Sequence, residues 1–215
     1  MEPARDDEGF ASKRLASLAR VAGDSHVMPH LALVLPGGGY GPAGSALRFP
    51  ALALAQCGAE VCEVRYRTAP PREFDLEAGR DFYFAARDQL QAIVDEHQYT
   101  KVTFIAKSLG TMVLGAIGRE LTLPAVVAAV WITPIFSLDY VRNGALARGW
   151  RSLIVSGAAD RYYDPRATDQ VVSSLGADSV VLDGADHSLE VSGDVLATIE
   201  GMQRLASAVV DFASG

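Results

Sequence analysis

The sequence contains little that could hold a metal ion or a disulfide framework. Its cysteines are Cys57 and Cys62, which are too far apart for a C-x-x-C redox or metal motif. The histidines are scattered along the chain at His26, His30, His97 and His187. Acidic side chains surround the last of these, but acidic residues in a loop are more often solvated than ligating. We therefore expect neither a metal site nor a cofactor.

Long hydrophobic runs and an excess of positive charge are also missing. The longest apolar runs, such as Leu31–Leu35 and Val126–Ile132, are far shorter than the roughly 20 residues that cross a bilayer. The net charge is −7 and the pI is about 5.1, so there is no basic field to attract nucleic acid. The first residues lack the basic and apolar regions of a secretory signal. These features predict a cytoplasmic protein that binds neither membranes nor nucleic acid.

Hydrophobic residues make up 49% of the chain, and from Leu31 onward their pattern alternates between short apolar runs and segments with helical spacing. This alternation predicts an α/β fold: a doubly wound, mostly parallel sheet with helices on both faces. Residues 1–28 are predicted to form an N-terminal arm, either flexible or with one helix over Ala11–Val21, and residues 29–215 a single catalytic domain. The predicted strands span 31–35, 61–66, 101–106, 126–132, 152–156 and 179–182, and the predicted helices 45–56, 76–96, 165–175 and 197–212, with another starting near 111.

One serine lies where a strand turns abruptly into a helix. Ser108 is the centre of Ala106-Lys-Ser-Leu-Gly110, which matches the nucleophile-elbow pattern G-x-S-x-G except for alanine at its first position. Alanine is small enough for that crowded turn. A serine needs a base, a group that orients the base, and amide donors for the oxyanion before it can act as a nucleophile.

Candidates for the other two groups follow later strands. Asp160 comes just after the fifth predicted strand and His187 just after the last. The carboxyl ends of parallel strands meet at one edge of the sheet, where functional groups gather in α/β proteins. The chain order Ser, Asp, His is the order found in α/β hydrolases rather than in chymotrypsin or subtilisin.

Taken together, these motifs resemble the α/β-hydrolase superfamily, and most of all its small lidless members such as the dienelactone-hydrolase-like proteins. The resemblance runs from about Leu31 to the C-terminus and is carried by the sequences at 35–41, 106–111, 157–160 and 184–189. It implies a catalytic triad of Ser108, Asp160 and His187. It also implies an oxyanion hole formed by the amides of Leu109 and of Gly38 or Gly39, although the chain has Pro36-Gly37 where many members have His-Gly.

The implied activity is hydrolysis of a carboxylic ester or a related acyl bond of a small soluble substrate, through an acyl-serine intermediate and without a cofactor. The segment Thr133–Arg151 is too short for a folded lid domain. Lys107, beside the expected nucleophile, is predicted either to stabilise an oxyanion or bind an anionic substrate, or simply to face solvent. Asp164 precedes Pro165 and is expected to cap a helix, which leaves Asp160 as the acid of the triad.

Two alternatives compete with a hydrolase. Gly39, Gly41 and Gly44 form a literal G-x-G-x-x-G after a strand, and Glu63 near the end of the next strand could contact a ribose. Against nucleotide binding, prolines at 36 and 42 remove amides that would have to bind pyrophosphate. The other alternative is a non-catalytic binding or scaffold protein with the same fold.

Overall fold

A sheet of seven strands, counted over the residues that the structure describes, forms the centre of the molecule. The computed structural model describes residues 13–15, 29–71 and 75–215. The strand order is β1-β3-β2-β4-β5-β6-β7, with β1 antiparallel to β3 and the other neighbours parallel. The strands are β1 Lys13–Leu15, β2 His30–Leu35, β3 Glu60–Glu63, β4 Lys101–Lys107, β5 Val126–Ile132, β6 Arg151–Gly157 and β7 Asp178–Leu182.

Six helices cover the two faces of this sheet within the described residues: α1 Ser45–Gln56, α2 Arg80–Asp95, α3 Leu109–Ile117, α4 Asp139–Arg148, α5 Pro165–Leu175 and α6 Val195–Ser214. Helices α1 and α6 pack on one face, and α2 to α5 on the other. Alternate residues of β2 enter the two cores, as Leu33 and Val34 illustrate. The predicted doubly wound, mostly parallel sheet with helices on both faces is thus confirmed.

The strand order fixes where a site can form. After β2 the chain adds β3 on one side, then crosses to add β4 on the other side of β2. The loops after β2 and β4 therefore diverge and leave a crevice at the carboxyl ends of these strands. Such a switch point is where ligands bind in open α/β sheets.

Some element boundaries follow from strong local signals. Helix α5 starts at Pro165 and ends before Gly176, as predicted, because Asp164 accepts a hydrogen bond from the amide of Ala167 at 3.1 Å and Gly176 adopts the left-handed conformation with φ 59°. Helix α3 begins at Leu109, two residues earlier than predicted, and α2 begins at Arg80 rather than 76. Strand β3 ends at Glu63 instead of 66.

The N-terminal prediction requires a correction. Within the segment expected to form a helix, Lys13–Leu15 is a strand paired with β3. Without this pairing β3 would be an edge strand with unsatisfied amides and carbonyls, and a segment that covers such an edge gains those hydrogen bonds. The prediction of a helix is therefore wrong at these residues, and the rest of the segment lies outside the described residues.

The segment between β5 and β6 contains a helix that the sequence did not predict. Helix α4 packs against α3 so closely that a Cβ on Gly144 would lie 2.1 Å from the carbonyl oxygen of Gly115. The segment is thus part of the body of the fold rather than a lid domain. None of the helices in the described part of the chain is both long and apolar enough to cross a membrane.

Candidate active site

Ser108 occupies a strained turn between β4 and α3. Its backbone has φ 50° and ψ −110°, a conformation that costs energy for a residue with a Cβ. Ala106, two residues before Ser108, is fully buried. On the other side of the serine, a Cβ on Gly110 would lie 2.3 Å from the carbonyl oxygen of Leu35. A residue without a side chain is therefore needed at 110, and the buried residue on the other side of the serine is the small Ala106.

The structure brings the three predicted residues of the triad together. The distance from Nε2 of His187 to Oγ of Ser108 is 2.7 Å, and that from Nδ1 of His187 to Oδ2 of Asp160 is also 2.7 Å. Because a carboxylate only accepts, Nδ1 carries the proton in this arrangement and Nε2 is left to accept from the serine hydroxyl. This tautomer is the one a general base requires.

Asp160 is held in place by its surroundings. It is 6% exposed, and its second carboxylate oxygen accepts a hydrogen bond from the amide of Tyr162 at 2.8 Å. The Tyr162 ring lies edge-on against the imidazole of His187, with 4.9 Å between centroids. Asp160 thus has one oxygen for the backbone and one for the histidine, while Asp164 is engaged at the start of α5.

The loop that carries His187 is held by a hydrogen bond from the loop after β6 and by the side chain of Asp186. The amide of Ala159 donates to the carbonyl of Ala185 at 2.9 Å, and the carboxylate of Asp186 accepts from the amides of Ser188 and Glu190. This acidic side chain therefore has a structural use in the loop. Among the described residues, no group of three or more His, Cys, Asp or Glu side chains is arranged to hold a metal ion.

The glycine loop after β2 passes beside Ser108. A Cβ on Gly37 would lie 3.5 Å from Cβ of Ser108, and one on Gly38 would lie 3.9 Å from a methyl group of Leu109. The amide of Gly37 donates to the carbonyl of Tyr40 at 3.0 Å and is already engaged. Gly38 is exposed and lies next to Leu109, whereas a Cβ on Gly39 would meet nothing within 4 Å. Of the two candidate donors in this loop, Gly38 is the one that lies beside Leu109.

The same glycines have a packing role that competes with nucleotide binding. The Tyr40 ring packs against Gly44 so closely that a Cβ there would lie 2.3 Å from a ring carbon. The Tyr40 hydroxyl accepts a hydrogen bond from the amide of Ala46 at 3.0 Å. A phenol thus uses an amide at the start of α1 that a pyrophosphate would need. Glu63, 8% exposed, lies 3.8 Å from the guanidinium of Arg48 and is not free to bind a ribose.

Lys107 does not face solvent, contrary to one of the two predictions made for it. It is 1% exposed, and its ammonium donates to Oγ1 of Thr133 at 2.9 Å and to the carbonyl of His187 at 2.5 Å. It also lies over the ring of Tyr40, 4.7 Å from the centroid. Burial lowers the pKa of Lys107 to about 8, an effect that the negative charges of Asp160 and Asp186 oppose. No local sequence signal marks this burial, because Tyr40 and Thr133, which cover the ammonium, come from other loops.

The comparisons with known proteins reveal the fold. No protein-family model matches the chain, and no curated protein matches it. Among solved structures, XC6422 from Xanthomonas campestris, an α/β serine hydrolase without a lid, has a TM-score of 0.59 and 19% identity, over 96% of this chain and 95% of that one. The Pyrococcus furiosus esterase Pf2001 has a TM-score of 0.63 and 15% identity, over 88% of this chain and 83% of that one. Est1E from Butyrivibrio proteoclasticus has a TM-score of 0.58 and 12% identity, over 87% of this chain and 89% of that one.

Proposed function

We propose that this chain, which has the lidless α/β-hydrolase fold, is a serine hydrolase that cleaves a carboxylic ester or a related acyl bond. The observation that carries the proposal is the unbroken set of hydrogen bonds from Asp160 through His187 to Ser108, with 2.7 Å at each step. The strained backbone of Ser108 supports it, because such strain is retained where function requires it.

In the proposed reaction His187 takes the proton of the Ser108 hydroxyl at Nε2 as Oγ attacks the acyl carbon. The oxyanion forms beside the amide of Leu109, at the start of α3, where the first backbone amides have no acceptor within the helix. The amide of Gly38 or Gly39 is the second donor. The imidazolium then gives its proton to the leaving group, which departs and leaves an acyl-serine.

The second half of the reaction uses the same groups in reverse. His187 takes a proton from water, the hydroxide attacks the acyl-serine, and the proton returns to Oγ as the acid is released. The negative charge of Asp160 stabilises the imidazolium in both halves. This chemistry needs no redox group and no metal.

The proposed substrate is small and soluble, because α4 fills the connection after β5 and packs on α3 instead of forming a cover over the site. With nothing to enclose a long acyl chain, short esters should be hydrolysed faster than long ones. The rate should also rise smoothly as a substrate passes its solubility limit, since no lid has to open at a lipid surface. A strong preference for emulsified long-chain esters would contradict this part of the proposal.

Labelling by a fluorophosphonate probe tests the activity without a choice of substrate. The wild-type protein should be labelled at Ser108 alone, and Ser108→Ala should lose both labelling and hydrolysis of p-nitrophenyl acetate while it keeps its circular dichroism spectrum. Ser173→Ala, which removes an exposed hydroxyl on α5, is the matched control and should be labelled like the wild type. A folded wild-type protein that is not labelled would instead support a non-catalytic binding role.

A further inference from the structure

The ammonium of Lys107 is the most unusual charge in the described part of the molecule. Its side chain is among the largest that are fully buried, and no carboxylate of the described residues forms an ion pair with it. Its neutral partners are the hydroxyl of Thr133, the carbonyl of His187 and the ring of Tyr40. A buried charge without an ionic partner is costly, and it is retained where it has a use.

The partners of this ammonium come from separate parts of the fold. Lys107 ends β4 immediately before Ser108, Thr133 follows β5, and His187 is in the loop after β7. Both loops contain a non-glycine residue with positive φ, Thr133 at 43° and Leu189 at 64°. The lysine therefore connects the elbow to two loops with strained backbone.

The bond to the carbonyl of His187 acts on the residue whose ring carries the chemistry. The ring is held by Asp160 on one side and contacts Ser108 on the other, whereas the ammonium holds the backbone of the same residue at 2.5 Å. A histidine attached at both its ring and its backbone has little freedom to rotate away from the serine. Hydrogen bonds from a charged donor are also roughly twice as strong as neutral ones.

We propose that Lys107 is a positioning residue, whose buried ammonium anchors the main chain of His187 and so keeps the imidazole in line between Asp160 and Ser108. This inference rests on the proposed hydrolase function and deepens it. Without the anchor the loop after β7 can shift, and a misplacement of about 1 Å can cost about 10²-fold in rate.

The anchor should depend on pH. As the pH rises through about 8, Lys107 loses its proton, and a neutral amine is a weaker donor to a carbonyl than an ammonium. The charged and titratable groups that face it are Asp160 and Asp186, which favour the ammonium, together with the His187 imidazole and the Tyr40 phenol ring. Activity should therefore fall on the alkaline side of this transition.

The test compares two lysines at the ends of the same strand. Lys107→Met keeps the length of the side chain and removes its charge, and Lys101→Met makes the same change at the half-buried amino end of β4. The second-order rate constant for fluorophosphonate labelling should drop about 10²-fold in Lys107→Met and by less than about twofold in Lys101→Met. The alkaline fall in labelling rate should be present in the wild type and in Lys101→Met but absent in Lys107→Met.

A spectroscopic measurement separates positioning from simple electrostatic assistance. In the wild type the Nδ1 proton between His187 and Asp160 should give a far-downfield resonance, because it is held in a short hydrogen bond. In Lys107→Met this resonance should broaden or disappear. If the labelling rate fell while the resonance stayed unchanged, the positioning role would be refuted, since a purely electrostatic effect leaves the histidine in place.

A milder variant keeps the test valid if Lys107→Met does not fold. Thr133→Val removes one acceptor of the ammonium and leaves the bond to His187, so the charged form loses stabilisation and the alkaline fall should move to lower pH. An unchanged profile in Thr133→Val, or wild-type labelling in Lys107→Met, would overturn the inference while leaving the hydrolase intact. Absence of labelling in the wild type would overturn the proposed function and this inference with it.

Discussion

Two histidines at opposite ends of the sheet show how position determines what the same side chain can do. His30 begins β2 at the amino end, where its Nε2 lies 2.8 Å from Oγ1 of the buried Thr103. His187 follows β7 at the carboxyl end, between Asp160 and Ser108. Burial, with a smaller contribution from the positive charge of Lys101, lowers the pKa of His30 to about 4. The first histidine is therefore neutral and structural, whereas the second lies within hydrogen-bonding distance of both a carboxylate and a serine hydroxyl.

The ends of the sheet also differ in strain and buried charge. Among the described residues, the non-glycine positions with positive φ are Ser108, Thr133 and Leu189, and all three follow the carboxyl ends of strands. The buried Lys107 and Asp160 lie at the same end. Strained backbone and buried charge both reduce stability, so their concentration at one end of the sheet indicates where the molecule has been shaped for function rather than for stability.

The largest expected difference between the two ends concerns the histidines themselves. His187→Ala should lower kcat by about 10⁶-fold, because loss of the general base in a serine triad removes nearly all nucleophilic catalysis. His30→Gln should leave kcat within about threefold, since its ring lies at the opposite end of the sheet, 2.8 Å from the hydroxyl of the structural Thr103. Steady-state hydrolysis of p-nitrophenyl acetate measures both. A comparable loss in both variants would show that the two ends are not functionally distinct.

The next largest effect separates two acids in one loop. Asp160→Asn should lower kcat by about 10⁴-fold with little change in stability, because the amide no longer holds the required tautomer of His187. Asp164→Ala should keep most activity and lose about 0.5–2 kcal/mol of unfolding free energy, since it removes the cap of α5. Denaturant unfolding measures the free energy of unfolding of both variants, and steady-state kinetics measures their kcat. The reverse pattern would transfer the role of the acid to Asp164.

The elbow should be sensitive to a single methyl group. Gly110→Ala places a Cβ 2.3 Å from the carbonyl oxygen of Leu35, which is backbone and cannot yield easily, so we expect a loss of about 1–3 kcal/mol. Gly39→Ala is the matched control, because a Cβ there meets nothing within 4 Å, and its unfolding free energy should stay within about 0.5 kcal/mol of the wild type. Equal stability of the two variants in urea would contradict the close packing of the elbow.

The smallest effect is a pH dependence at the amino end. The pKa of His30 is lowered to about 4 in the folded protein and is about 6.5 when unfolded, so between these values the unfolded state binds more protons. Unfolding free energy should therefore decrease as the pH falls from about 6.5 to about 4, by about 1–2 kcal/mol after discounting for solvent at this half-buried site. In His30→Gln this part of the decrease should vanish. If the pH profile of the variant were identical to that of the wild type, the decrease in unfolding free energy would come from carboxylates instead of His30.

The elements that could be predicted from the sequence are those with strong local signals. Val126–Ile132 and Pro165–Leu175 match the structure to the residue, the first because a continuous apolar run suits a buried strand and the second because its caps are local. Helix α4 was missed because an interior glycine, Gly144, weakens its helical signal and reflects contact with α3. Contacts between helices are not visible in a short window of sequence.

The site shows the same division between local and tertiary information. Ser108, Asp160 and His187 were predicted from their positions after strands, and the structure brings their side chains to hydrogen-bonding distance. The burial of Lys107 could not be predicted in this way, because it depends on Tyr40 and Thr133 from distant loops. Which glycine of the loop after β2 faces the substrate is likewise set by how that loop folds over the elbow.

The most direct test of the central claim is to trap the acyl-enzyme. The protein is mixed with p-nitrophenyl acetate, quenched with acid within the first turnovers, and digested for peptide mass spectrometry. The account predicts one acetyl group on Ser108, formed as fast as p-nitrophenol is released in a burst and absent from Ser108→Ala. Hydrolysis that proceeds at the same rate in Ser108→Ala, or an acetyl group on another residue of the active wild type, would contradict it.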